Sequence, residues 1–145
     1  MLRYLFVLLF AVLTACAPRY ASQSDSGTPK LFRTWWRVER IEGEKAEFIR
    51  GQRRDMHIIL YSSKKMVGSG GCNQINGSFK QSPGFIRFGP IASTKMMCQS
   101  GVMARDRAFV KALRKSRSYR INGPHLKLYD QSGHEVLRFM AVKQR

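Results

Sequence analysis

The stretch S118-Y-R-I-N-G-P-H-L-K-L-Y-D-Q-S-G-H-E-V-L-R-F-M-A-V142 decides the fold. It reads as three strands joined at Asn122-Gly123 and near Ser132-Gly133, because both dipeptides tolerate the positive backbone angles that tight hairpins need. Leu126 and Leu128 fall on one face of their strand, and Leu137 and Phe139 on one face of theirs. Such alternation is the period of a half-buried antiparallel sheet.

Outward from there, most of the chain has the same texture. T34-W-W-R-V-E-R-I41 and M56-H-I-I-L-Y61 are rich in aromatic and branched residues, and G77-S-F-K-Q-S-P-G-F-I-R-F-G89 reads as two strands around a Ser-Pro-Gly turn. One segment differs. In V102-M-A-R-D-R-A-F-V-K-A-L-R-K-S116, residues Val102, Met103, Phe109, Val110 and Leu113 recur at helical spacing. That pattern predicts one amphipathic helix of about three turns, with its apolar stripe on a core. The expected class is α+β: an antiparallel, curled or barrel-like sheet with one amphipathic helix.

The first residues set the compartment. Arg3 precedes an apolar run from Leu5 to Leu13, and Leu13-Thr14-Ala15-Cys16 follows. This is the layout of a secretory leader, too short for a membrane span of about 20 residues. The four residues ending at Cys16 resemble a bacterial lipobox, which implies cleavage before Cys16 and acylation of that residue. Residues 1–15 are therefore read as signal peptide, 16–33 as a lipidated flexible tether, and 34–145 as one domain. By the same resemblance, Ala17 points to the outer membrane, facing the periplasm. Losing residues 1–15 removes only Arg3 and takes the net charge from +17 to +16.

G68-S-G-G-C-N-Q-I-N-G-S-F79 and A92-S-T-K-M-M-C98 hold the two remaining cysteines. A nucleophilic Cys72 needs a nearby base, and His57, His125 and His134 are each isolated in the sequence. No Cys-x-x-Cys and no histidine pair has metal-ligand spacing. The glycines lack the Gly-Lys-Ser/Thr that a phosphate loop requires; at a strand end they mark a bulge or a close backbone approach. No catalytic residue, cofactor or metal ligand is assigned. In an oxidising compartment a Cys72–Cys98 bridge is favoured over two reduced, packed thiols. Asn73 is read as closing the loop through its own amide.

In this order, Gly71-Cys72-Asn73 with Gly77 and Phe79, then Thr94, Met96 and Cys98, resemble the META domain of HslJ-type lipoproteins. The resemblance covers about Thr34 to Val142. It implies an α+β envelope domain linked to heat shock, antibiotic tolerance and, in some members, motility. It implies no known reaction.

Charge supplies the last expectation. Arg50, Arg53 and Arg54 stand together, and seven cations lie between Arg105 and Arg120 against one acid, Asp106. A run of cations is commonly a solvated face, yet such a field also attracts polyanions. Behind a leader and a lipid anchor these are anionic lipid, lipopolysaccharide or wall polymer rather than nucleic acid. Arg50, Arg53, Arg54, Lys111, Arg114, Lys115 and Arg117 are the expected binding residues. The function expected is a non-catalytic envelope lipoprotein, a binding or stress-tolerance module. The alternatives are a cationic scaffold on an envelope protein and an envelope enzyme whose site the sequence hides.

Overall fold

A computed structural model describes residues 27–143; the leader and Cys16 lie outside the described residues. Nine strands and one helix follow in the order β1 (Trp35–Ile41), β2 (Glu44–Lys45), β3 (His57–Leu60), β4 (Lys65–Ser69), β5 (Gln74–Ser82), β6 (Phe85–Ser93), α1 (Ser100–Lys115), β7 (Ser118–Asn122), β8 (His125–Tyr129) and β9 (Glu135–Val142). Every pairing is antiparallel: β1 pairs with β2, with β3 and with β9, the last from Trp35↔Val142 to Ile41↔Leu137, and from β3 onward each strand pairs with the next in sequence. The hydrogen bonds thus run in a ring, with β2 attached to the last residues of β1 beyond β3. The α+β expectation with a curled sheet holds.

The three C-terminal strands fall where the hairpin signals place them. Leu126, Leu128, Leu137 and Phe139 all point inward and are essentially inaccessible. They meet Trp36, Ile58, Leu60, Ile75 and Ile86 from the other walls. A core of this kind contributes on the order of 1.5–3 kcal/mol per large apolar side chain.

The ring has one thin seam. β6 and β7 share a single residue pair, Phe85↔Ser118, so most of the outer edge of β6 lacks a strand partner. Helix α1 follows β6 in the chain. It packs against β6, β9 and β1, across the end of the ring where the β4–β5 turn lies. Phe109 meets Phe139 edge to face at 6.2 Å, and Leu113 is buried beside it. Helix α1 runs 16 residues, more than the expected three turns. Its buried residues are Val102, Asp106, Phe109, Ala112 and Leu113, whereas Met103 and Val110 are only half-buried. The core stripe is therefore rotated from the expected one and takes in an acid.

The opposite end of the ring is stopped by the incoming chain. Leu31 is buried, its carbonyl accepts the Trp36 indole N–H at 3.0 Å, and Arg33 N–H donates to the Leu60 carbonyl at 2.8 Å. Phe32 stacks on Phe79 at 6.4 Å. The last residues of the expected tether thus belong to the packed unit. Among the described residues no helix is long and apolar enough to cross a membrane.

Candidate functional site

The two cysteine motifs meet at the helix-covered end. Cys72 and Cys98 form a disulfide, with Cα atoms 6.1 Å apart. Beside it, Asn73 ties three segments together. Its side-chain oxygen accepts Met96 N–H at 2.8 Å and the Thr94 hydroxyl at 3.1 Å. Its own N–H and its side-chain amide donate to Asp106 Oδ2, at 2.7 Å and 3.2 Å. Thr94 Oγ1 also accepts Gln74 N–H at 3.1 Å. Asn73, Thr94 and Met96 therefore belong to one hydrogen-bonded knot closed by the disulfide, and Gly71 precedes its Cys72 without a bond to the knot.

Glycine is needed here for space as well as for conformation. Gly71 has φ +98°, and its carbonyl accepts Arg53 N–H at 3.0 Å. A Cβ on Gly70 would stand 2.6 Å from the Asp106 carboxylate. Gly77 lies away from the knot, at the β5 bulge, where a Cβ would stand 2.8 Å from the Pro90 carbonyl oxygen.

Asp106 is the residue that sequence reasoning passed over, counted only as the single acid in a basic helix. It is 4% exposed, and its known partner comes from 33 positions upstream. A signal existed, since Val102, Asp106, Phe109 and Leu113 follow the apolar i, i+4, i+7 spacing. An acid on that stripe requires a polar partner within the fold.

The expected basic residues separate by role. Arg50, Arg53 and Arg54 are exposed on the 46–56 loop, which touches both motif loops: Gly51 packs on Gln99, and Gln52 on Gly71. Lys111 and Arg114 are exposed on the helix and align with Arg107 at i, i+4, i+7, making one outward stripe across the ring end. Arg114 also reaches toward the Ile91 carbonyl on the free edge of β6, at 3.4 Å. Lys115 pairs with Glu42. Arg117 is half-buried and donates to the Arg114 and Ser116 carbonyls at 2.8 Å, satisfying carbonyls that the helix end leaves free. Arg117 thus serves the helix terminus and Lys115 an ion pair with Glu42, while Arg107, absent from the expected set, joins the outward stripe.

The sulfurs of Cys72 and Cys98 are in a disulfide, and the Asp106 carboxylate is occupied by Asn73. Among the described residues no cluster of three or more His, Cys, Asp or Glu is placed to hold a metal ion. His57 is buried against Trp35, with ring centroids 3.6 Å apart, and its Nδ1 lies 2.8 Å from the Asp55 carbonyl. Burial holds its pKa below the usual histidine value, outweighing the carbonyl bond. A groove of about 490 Å³ runs outside β1, lined by residues that include Arg37, Glu39, Arg40, Phe48, Asp55 and Arg138. Arg138 forks onto Glu135 at 2.8 and 3.0 Å, and Arg40 donates to the Gly43 carbonyl at 2.7 Å.

In comparison with known families, the model of the META domain fits residues 29–143. A protein from Burkholderia xenovorans, solved by NMR, is 21% identical, with a TM-score of 0.61 over 79% of this chain and 85% of its own. Another NMR structure is 19% identical, with a TM-score of 0.58 over 74% of this chain and 87% of its own. At these identities the likeness is one of fold. No curated protein matches the sequence.

Proposed function

This chain belongs to the META domain family, and on that footing we propose that it is an exported, lipid-anchored envelope module without catalytic chemistry, which docks its basic end on an anionic envelope surface. The observation that carries this is the arrangement of that end. Arg107, Lys111 and Arg114 form an outward stripe on the helix laid across the ring, and the loop bearing Arg50, Arg53 and Arg54 adjoins the helix N-terminus. The disulfide and the Asn73 knot hold these loops in place, so docking requires little further ordering. The leader and Leu13-Thr14-Ala15-Cys16 support the anchor. Stress tolerance comes from the family resemblance and would be the outcome of such docking.

Two measurements test the proposal. Intact mass of membrane-extracted protein should show a chain starting at Cys16 with added lipid; an unmodified Cys16 or a retained leader rejects the anchor. For docking, the unlipidated mature chain carrying Cys16→Ser is titrated with long-chain polyphosphate and with anionic vesicles. Binding should fall steeply between low salt and about 0.15 M, where screening shortens to about 8 Å. Each cation near an anionic membrane contributes about 1 kcal/mol, so R107E/K111E/R114E should weaken vesicle binding about hundredfold. If neither anionic probe binds better than a neutral one, the docking reading fails.

A further inference from the structure

Among the described residues, the exposed large apolar side chains are Phe48, Val67, Phe85, Met96 and Met97. Three of these five stand on two loops that touch. Met97 is 82% exposed, Phe48 60% and Met96 36%. Their loops meet where Gly51 packs on Gln99, and Ile49 approaches Gly101 in the first turn of α1.

The loop of Met96 and Met97 is not slack. Met96 N–H is held by Asn73, and the next residue after Met97 is the bridged Cys98. Met97 is thus presented outward from a fixed backbone in an otherwise well-packed domain. On these two loops and the helix that follows, Arg50, Arg53, Arg54, Lys95 and Arg107 are exposed, against the exposed acids Glu47 and Asp55.

We infer that Met97 and Phe48, with Met96 beside them, form a membrane-entering tip: the basic end seats on an anionic phospholipid bilayer, and these side chains enter the boundary between headgroups and acyl chains. The inference rests on the docking reading above and names its surface. Projecting apolar side chains within a field of cations match an interface that is anionic outside and apolar a few ångströms deeper. Methionine is unbranched and adapts to a disordered surrounding. The groove outside β1 is concave and includes Phe48 in its lining, whereas Met97, 82% exposed, lies outside it, and an exposed side chain of this kind suits a soft planar partner.

The position of the anchor allows this. The chain enters the ring at Leu31, at the end opposite the tip. Fully extended, the 15 residues from Cys16 to Leu31 reach roughly 50 Å. A nine-residue strand such as β5 spans about 30 Å. Lipid and tip can therefore engage the same leaflet.

The test uses the unlipidated mature chain (Cys16→Ser), vesicles of phosphatidylcholine with and without phosphatidylglycerol, and long-chain polyphosphate. The M97W variant should be quenched by shallow brominated lipid in anionic vesicles, and V67W, on β4, should not. Removing both apolar groups in M97S/F48S should weaken anionic-vesicle binding about tenfold and leave polyphosphate binding unchanged. V67S should change neither. If vesicle binding is salt-sensitive but M97W is unquenched and M97S/F48S binds normally, the tip is refuted and the basic docking stands. If polyphosphate binds and anionic vesicles do not, the bilayer is refuted in favour of another acidic partner, a wall polymer or a protein. If neither binds, both readings fall.

Discussion

Replacing Gly70 by alanine tests whether Asp106 organises the motif. Gly70 does not have a positive φ, so alanine meets no backbone objection there. Its Cβ would, however, stand 2.6 Å from the Asp106 carboxylate, which must then move off Asn73. Overpacking of this kind costs about 1–3 kcal/mol, and each hydrogen bond to a charged group contributes about 1.5–3 kcal/mol. Gly70→Ala should therefore destabilise the fold by about 2–3 kcal/mol. Asp106→Ala removes both bonds to Asn73 but also releases a buried carboxylate, so its net cost should be similar, about 2–3 kcal/mol. In the double variant the methyl group has nothing to strike. Its cost should stay near that of Asp106→Ala alone, leaving a coupling of about 2 kcal/mol. Urea unfolding of the four chains, with the disulfide intact, measures this directly. Additivity within about 0.5 kcal/mol would refute the reasoning, as would a Gly70→Ala chain as stable as the parent.

The disulfide closes 27 residues, 72 to 98, for which chain entropy gives about 3.5 kcal/mol. C72A/C98A should lower stability by about 2–4 kcal/mol, and alkylation of the denatured parent without reductant should label neither cysteine. Two labelled thiols would exclude the bridge. His57, whose pKa is lowered by burial, stays neutral in the fold while the unfolded chain takes up a proton. Stability should thus be insensitive to this group above pH 6.5, decline as pH falls below 6.5, and level off once the folded pKa is passed. His57→Phe, which keeps an aromatic ring against Trp35, should flatten that segment of the stability–pH curve; an unchanged slope would assign the effect elsewhere.

Legibility in the sequence followed the range of the interactions. Strands closed by Asn122-Gly123 and Ser132-Gly133 were plain because turn chemistry and alternation are local. Ring closure was not, since pairing Trp35 with Val142 joins residues more than 100 positions apart, and no local pattern encodes strand order. The cysteine pair could be read from the expected compartment and the cysteine count. Asp106 could not be assigned a partner, because its carboxylate is matched by a loop 33 residues away. The basic face was legible as composition, but the allotment of Lys115 to Glu42 and Arg117 to the helix end depends on side-chain packing. Likewise Phe48 and Met97 share one end only because separate loops fold together there.

The pairing of β1 with β9 has a consequence for how this unit can be joined to others. Trp35 and Val142 face each other across the ladder, so the polypeptide enters and leaves the domain at neighbouring points. Fusion through either terminus then starts from the same place on the surface, and a short linker between the two would permit a circular permutant with new ends in the exposed Pro83-Gly84 turn. Direction, too, is shared: an attachment made at the front of the domain or at its back would leave the helix-covered end facing the same way.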